Sequence, residues 1–67
     1  TISITANGKT YVVPEGTTII SFLEKMELAP HRVVIEHNRN ALTPSEIRKK
    51  TILDGDIIEI VKVVAGG

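Results

Sequence analysis

Asn7-Gly8 sits between two runs in which apolar and polar side chains alternate: Ile2, Ile4 and Ala6 with Ser3 and Thr5 before it, and Thr10 to Val13 after it. Alternation with period two marks a strand that buries one face. Asn-Gly supplies the two positive-φ residues that the tightest hairpin turn requires, so the pattern predicts an antiparallel hairpin. An isolated hairpin is marginal in water. The remainder of the chain therefore has to cover its apolar face.

Pro14-Glu15-Gly16 ends the second strand, and Thr17 or Thr18 is placed to cap a helix running to about Met26 or Leu28. Ile19, Ile20, Leu23 and Met26 share one face of that helix, with Phe22 near the edge of the stripe. Pro30 closes the segment, and the β-branched run Val33 to Glu36 predicts a third strand with Val33 and Ile35 inward. Asn38-Arg39-Asn40 is turn-prone, and Ala41-Leu42 is read as a brief edge strand. Thr43-Pro44-Ser45-Glu46 matches a capping box with proline at the first helical position, predicting a short turn of helix through about Arg48 that tucks Ile47 inward. Leu53-Asp54-Gly55-Asp56 reads as a turn feeding a last strand, Ile57 to Val64. In that strand Ile58 and Ile60 suit the core, while Ile57, Val61 and Val63 point away with Glu59.

One helix against one sheet defines an α+β domain with a mixed sheet of four to five strands and one main helix on a single face. With no repeat or linker in the sequence, residues 1–63 form one domain and residues 64–67 a flexible C-terminal tail. A chain of 67 residues without cysteine has no disulfide staple, so its core rests on isoleucine and valine, with Tyr11 and Phe22 the sole aromatics. Eight basic and eight acidic side chains leave no net field for a phosphate backbone, which argues against nucleic acid as a partner. No apolar run approaches the roughly 20 residues of a membrane helix, and no secretory signal pattern begins the chain. A cytoplasmic protein without membrane contact is the expectation.

The last strand runs directly into Val64-Ala65-Gly66-Gly67. Four extended residues reach about 13 Å, enough to thread a carboxylate into a buried site of another protein. Glycine suits such a channel because it lacks a Cβ and adopts backbone angles closed to other residues. Near neutral pH the α-carboxylate is an anionic oxygen nucleophile able to attack an activated phosphate. Beside this terminus, Val61 and Val63 with Ile57 form an apolar patch that marks either a docking surface or a strand sheltered by neighbouring loops.

The Asn7-Gly8 hairpin, the helix Thr18 to Met26, the stretch Val33 to Asn38, the segment Leu53 to Val61 and the terminal Gly66-Gly67 together resemble the ThiS family. These are sulfur carriers of thiazole synthesis in the ubiquitin-like β-grasp superfamily. The resemblance, with the layer rules, implies first and last strands side by side and parallel in the middle of the sheet. It also implies that an E1-like adenylyltransferase uses ATP to adenylate the Gly67 carboxylate, that a sulfur donor system converts it to a thiocarboxylate, and that thiazole synthase receives the sulfur. On this reading Gly66 and Gly67 carry the chemistry, and Ala65, Val64, Val63 and Val61 dock on the partner. The chain itself binds no cofactor and has no catalytic residue, ATP being used by the partner. Relatives often show Asn-Gly-Glu followed by Val-Pro-Arg where this chain has Asn38-Arg39-Asn40 and Leu42-Thr43-Pro44-Ser45. The Val-Ala-Gly-Gly ending also resembles the small subunit of molybdopterin synthase, which keeps that alternative open. A ubiquitin-like modifier and a plain binding module are the other two readings.

His31 follows Pro30 and His37 ends a strand, and neither lies in a sequence cluster suited to a metal, so no metal site is assigned. Asp54 and Asp56 flank a glycine and are read as turn formers, and Arg48-Lys49-Lys50 as a solvated helix end.

Overall fold

A computed structural model describes residues 1–63 of the chain. The hairpin forms as its sequence dictates: β1, Ile2–Ala6, pairs antiparallel with β2, Lys9–Val13, from Ile2 opposite Val13 to Ala6 opposite Lys9. Asn7 and Gly8 take φ of 50° and 80°. Helix α1, Ile19–Lys25, follows, capped by Thr18. The cap is reciprocal, Ser21 N–H donating to Thr18 Oγ1 while Ser21 Oγ accepts from Thr18 N–H. A 3₁₀ turn, Pro30–Arg32, leads into β3, Val33–His37, then β4, Asn40–Ala41, helix α2, Pro44–Lys49, and β5, Ile57–Lys62.

The five strands are ordered β2-β1-β5-β3-β4. β5 lies at the centre, parallel to β1 and antiparallel to β3, so the first and last strands are neighbours in one mixed sheet. Alternation sends Ile4, Ala6, Ile35, Ile58 and Ile60 to one face, where Ile19, Phe22 and Leu23 of α1 and Ile47 of α2 meet them. Ile52 closes this core: its N–H bonds Thr17 O, and the Ile19 N–H bonds Lys50 O, tying the α1 entrance to the segment behind α2.

Helix α1 departs from the sequence reading at its C-terminus. It ends at Lys25, with Met26 as the cap and Glu27 at φ 59°. The N–H of Leu28 reaches Leu23 O and that of Glu27 reaches Glu24 O, the paired bonds of a Schellman cap. This turn swings Leu28 onto the core and leaves Met26 exposed, so Met26 is not part of the buried stripe. Phe22, expected near the stripe's edge, is buried and meets the Tyr11 ring edge to face at 5.4 Å. Ile20 is only partly buried. α2 runs one residue beyond Arg48, to Lys49, and the edge strand is Asn40–Ala41 rather than Ala41-Leu42. β5 stops at Lys62 instead of continuing to Val64, which lies outside the described residues.

The β3–β4 turn repeats the left-handed geometry of the first hairpin, Asn38 and Arg39 at φ 50° and 73° standing where Asn7 and Gly8 stand. A side chain with a Cβ in this region costs about 1–2 kcal/mol, which glycine avoids. Arg39→Gly is expected to raise stability by up to about 1 kcal/mol, part of the relief being lost to the freer unfolded chain. Urea denaturation reads this directly, and a loss of stability would show that the Arg39 side chain holds the turn.

Candidate functional site

The site is the outgoing end of β5 and the outer sheet face beside it, and its geometry rests on polar anchors from three loops. At the start of β5, Asp54 Oδ1 accepts from Ser3 N–H at 2.8 Å and Gly55 N–H donates to Ser3 O at 2.7 Å, seating the turn on β1. Asp56 is buried and accepts three bonds: from Leu53 N–H at 2.8 Å, from Asn38 Nδ2 at 3.1 Å and from His37 Nε2 at 2.6 Å. Burial pushes the Asp56 carboxyl upward, but the bonds from His37, Leu53 and Asn38 and the attraction of His37 outweigh it, so its pKa lies below the ordinary value. The carboxylate is then ionised and accepts only, so His37 Nε2 carries the shared proton. Asn38 Oδ1 in turn accepts from Ile57 N–H at 2.8 Å.

Farther along, β1 has ended and its place beside β5 is taken by one side chain. Asn7 Oδ1 accepts from Ile60 N–H at 2.7 Å, and Asn7 Nδ2 donates to Ile60 O at 3.0 Å. The Val63 N–H donates to Arg32 O at 2.8 Å, fixing the chain up to the last described residue. A cavity of about 380 Å³ beside Val63 is lined by Leu28, Ala29 and Val33 among the charged Glu27, Arg32 and Lys62.

Val61 and Val63 are exposed by 62% and 53%, and Val34 faces Val61 across the β3–β5 ladder. With Ile57 these side chains give the outer face an apolar character that neighbouring loops do not cover. Val64, Ala65, Gly66 and Gly67 lie outside the described residues. His31 is exposed in the 3₁₀ turn, well apart in role from the buried His37. Among the described residues no group of three or more His, Asp or Glu side chains could hold a metal ion. No helix among them is long and apolar enough to cross a membrane. The sequence reading missed the anchoring by Asn7, Asp54, His37 and Asp56, because apart from the local Leu53–Asp56 bond every partner lies 18 or more residues away in the chain.

A five-stranded mixed sheet with one main helix on a single face, its first and last strands parallel at the centre, is the ubiquitin-like β-grasp fold. The sequence profile of the ThiS family matches residues 2–67, and the chain belongs to that family. The fold is similar to the crystal structure of a thiamine biosynthesis protein (ThiS) from Geobacter metallireducens, with a TM-score of 0.81 and 28% identity over 98% of this chain and 100% of that one. A solution structure of a thiamine biosynthesis protein from Geobacter metallireducens gives a TM-score of 0.78 and 26% identity, covering 98% of this chain and 88% of that one. No curated protein matches the chain.

Proposed function

We propose that this chain is a sulfur carrier of thiamine biosynthesis, working in the cytoplasm, whose Gly67 carboxylate is the reacting group. Membership of the ThiS family, with the match extending through Gly67, is the observation that carries this reading. An E1-like adenylyltransferase binds the ATP; a Gly67 carboxylate oxygen attacks its α-phosphorus, and pyrophosphate leaves. Hydrosulfide released by the donor system then adds to the acyl carbon, AMP leaves with the electrons of the C–O bond, the thioacid loses its proton, and the resulting thiocarboxylate delivers its sulfur to thiazole synthase. The carrier acts as a co-substrate of these enzymes rather than as a catalyst, and residues 64–67 serve as the reacting tail of the domain formed by residues 1–63. Val61 and Val63, with Val64 and Ala65, dock on the partner, which covers their apolar surface.

Intact mass spectrometry after incubation with the adenylyltransferase, ATP and a sulfide source tests this. Replacement of one oxygen by sulfur at the terminus is the expected result. A covalent conjugate would favour a modifier instead, and an unaltered chain would sink the proposal. Gly66→Val is expected to melt like the wild type but to lose about 100-fold in the activation rate, because a branched Cβ obstructs passage into the partner's site. Normal activation of that variant would refute threading.

A further inference from the structure

The outer face of β3 and β5 carries three features that find no counterpart in the isolated domain. Glu36 and Glu59 are direct cross-strand partners on this face, and like charges at opposed positions repel. Among the described residues no lysine or arginine lies within ion-pairing distance of Glu36 or Glu59, so neither glutamate has a cation within bonding distance. Arg39 shares a concavity of about 480 Å³ with Glu36, Asn38, Ile57 and Glu59, yet it forms no ion pair with either carboxylate. Its backbone is held in the left-handed region, where L side chains are strained. The third feature is apolar exposure on both sides of the glutamates: Val34 opposite Val61, and Ile57 two residues before Glu59.

We infer that this face receives one basic side chain of the activating partner, placed between Glu36 and Glu59 with its aliphatic stem across Val34 and Val61. The inference rests on the carrier reading and names the chemistry by which the partner recognises the sheet. An arginine fits best, since its planar fork can bond both carboxylates while its three methylenes lie on the two valines. Insertion of a cation turns the repulsion between the glutamates into two attractions and removes the apolar surface from water. A second copy of this chain is a poor occupant. Stacking two such faces about a two-fold axis would gather four carboxylates at the centre of the contact.

The test compares the E36Q/E59Q double variant with the wild type in steady-state adenylation by the E1-like partner. E24Q, on the exposed side of α1, serves as the control. The double variant is expected to melt at a higher temperature than the wild type, because the repulsion is gone. Its KM for the partner should rise about tenfold with kcat unchanged, and its kcat/KM should depend less steeply on salt. E24Q should match the wild type in all three. An unchanged KM and salt slope in the double variant, with the wild type adenylated normally, would overturn this inference and leave the carrier reading intact. A wild type that is never adenylated would overturn both. Wild-type dimerisation in sedimentation, strengthened in the double variant, would assign the face to a second copy and overturn it too.

Discussion

Ile60→Asp is expected to abolish folding, whereas Val61→Asp, one residue later, is expected to give a folded domain. The two side chains leave β5 on opposite faces: Ile60 is 9% exposed and packs opposite Ile35, and Val61 points outward beside Val34. An aspartate at position 60 would lose the burial of a whole isoleucine and would place a carboxylate among Ile35, Ile58 and the helix α1 side chains. Asn7 offers no rescue, since its amide is already spent on the backbone N–H and C=O of Ile60. A chain of this length has about 3–10 kcal/mol of stability, and loss of a buried isoleucine with burial of an unpaired charge exceeds much of that range. At position 61 the new carboxylate stays hydrated and adds only a weak repulsion with Glu59, of about 0.5 kcal/mol. Far-ultraviolet circular dichroism during heating separates the cases. A cooperative melt for Ile60→Asp near the wild-type temperature would mean that the faces of β5 are reversed.

The alternation that supports this contrast was legible in the sequence, as were the Asn7-Gly8 hairpin, the Thr43-Pro44-Ser45-Glu46 cap and the inward placement of Val33, Ile35, Ile47, Ile58 and Ile60. Each is a local pattern in which neighbouring residues carry the whole signal. The end of α1 was not legible, because the left-handed cap that stops the helix is occupied by Glu27 and the chain shows no glycine there. Burial of Phe22 escaped for another reason: its partner Tyr11 lies on β2, and only the docking of helix on sheet brings the rings together. The candidate site divides the same way. Outward exposure of Ile57, Val61 and Val63 follows from period two. The opposition of Glu36 and Glu59 depends on the β3–β5 register, which is set by the His37, Asn38 and Asp56 contacts between remote loops.

That cluster makes the second large effect. Asp56→Ala is expected to cost about 3–5 kcal/mol, leaving Leu53 N–H, Asn38 Nδ2 and the buried His37 Nε2 without their common acceptor. Asp54→Ala removes one exposed bond, to Ser3 N–H, and is expected to cost about 1 kcal/mol. The two aspartates flank the same glycine, so the difference between them measures burial and not turn propensity. Acid gives an independent handle. The Asp56 pKa is lower in the folded chain than in the unfolded one, so its contribution is complete above the unfolded carboxylate value of about 3.9, shrinks below that, and is gone once the pH has fallen through the folded value. Glu46 is shifted the same way, first by the bond from the Thr43 N–H to its carboxylate, so part of the acid sensitivity survives in Asp56→Ala. Urea denaturation at a series of pH values from about 7 down to about 2.5 should therefore give a shallower decline for the variant than for the wild type. Parallel declines would mean that the carboxylate joining β3 to the start of β5 is protonated at the same pH in the folded and unfolded chain, and the downward displacement of Asp56 would be wrong.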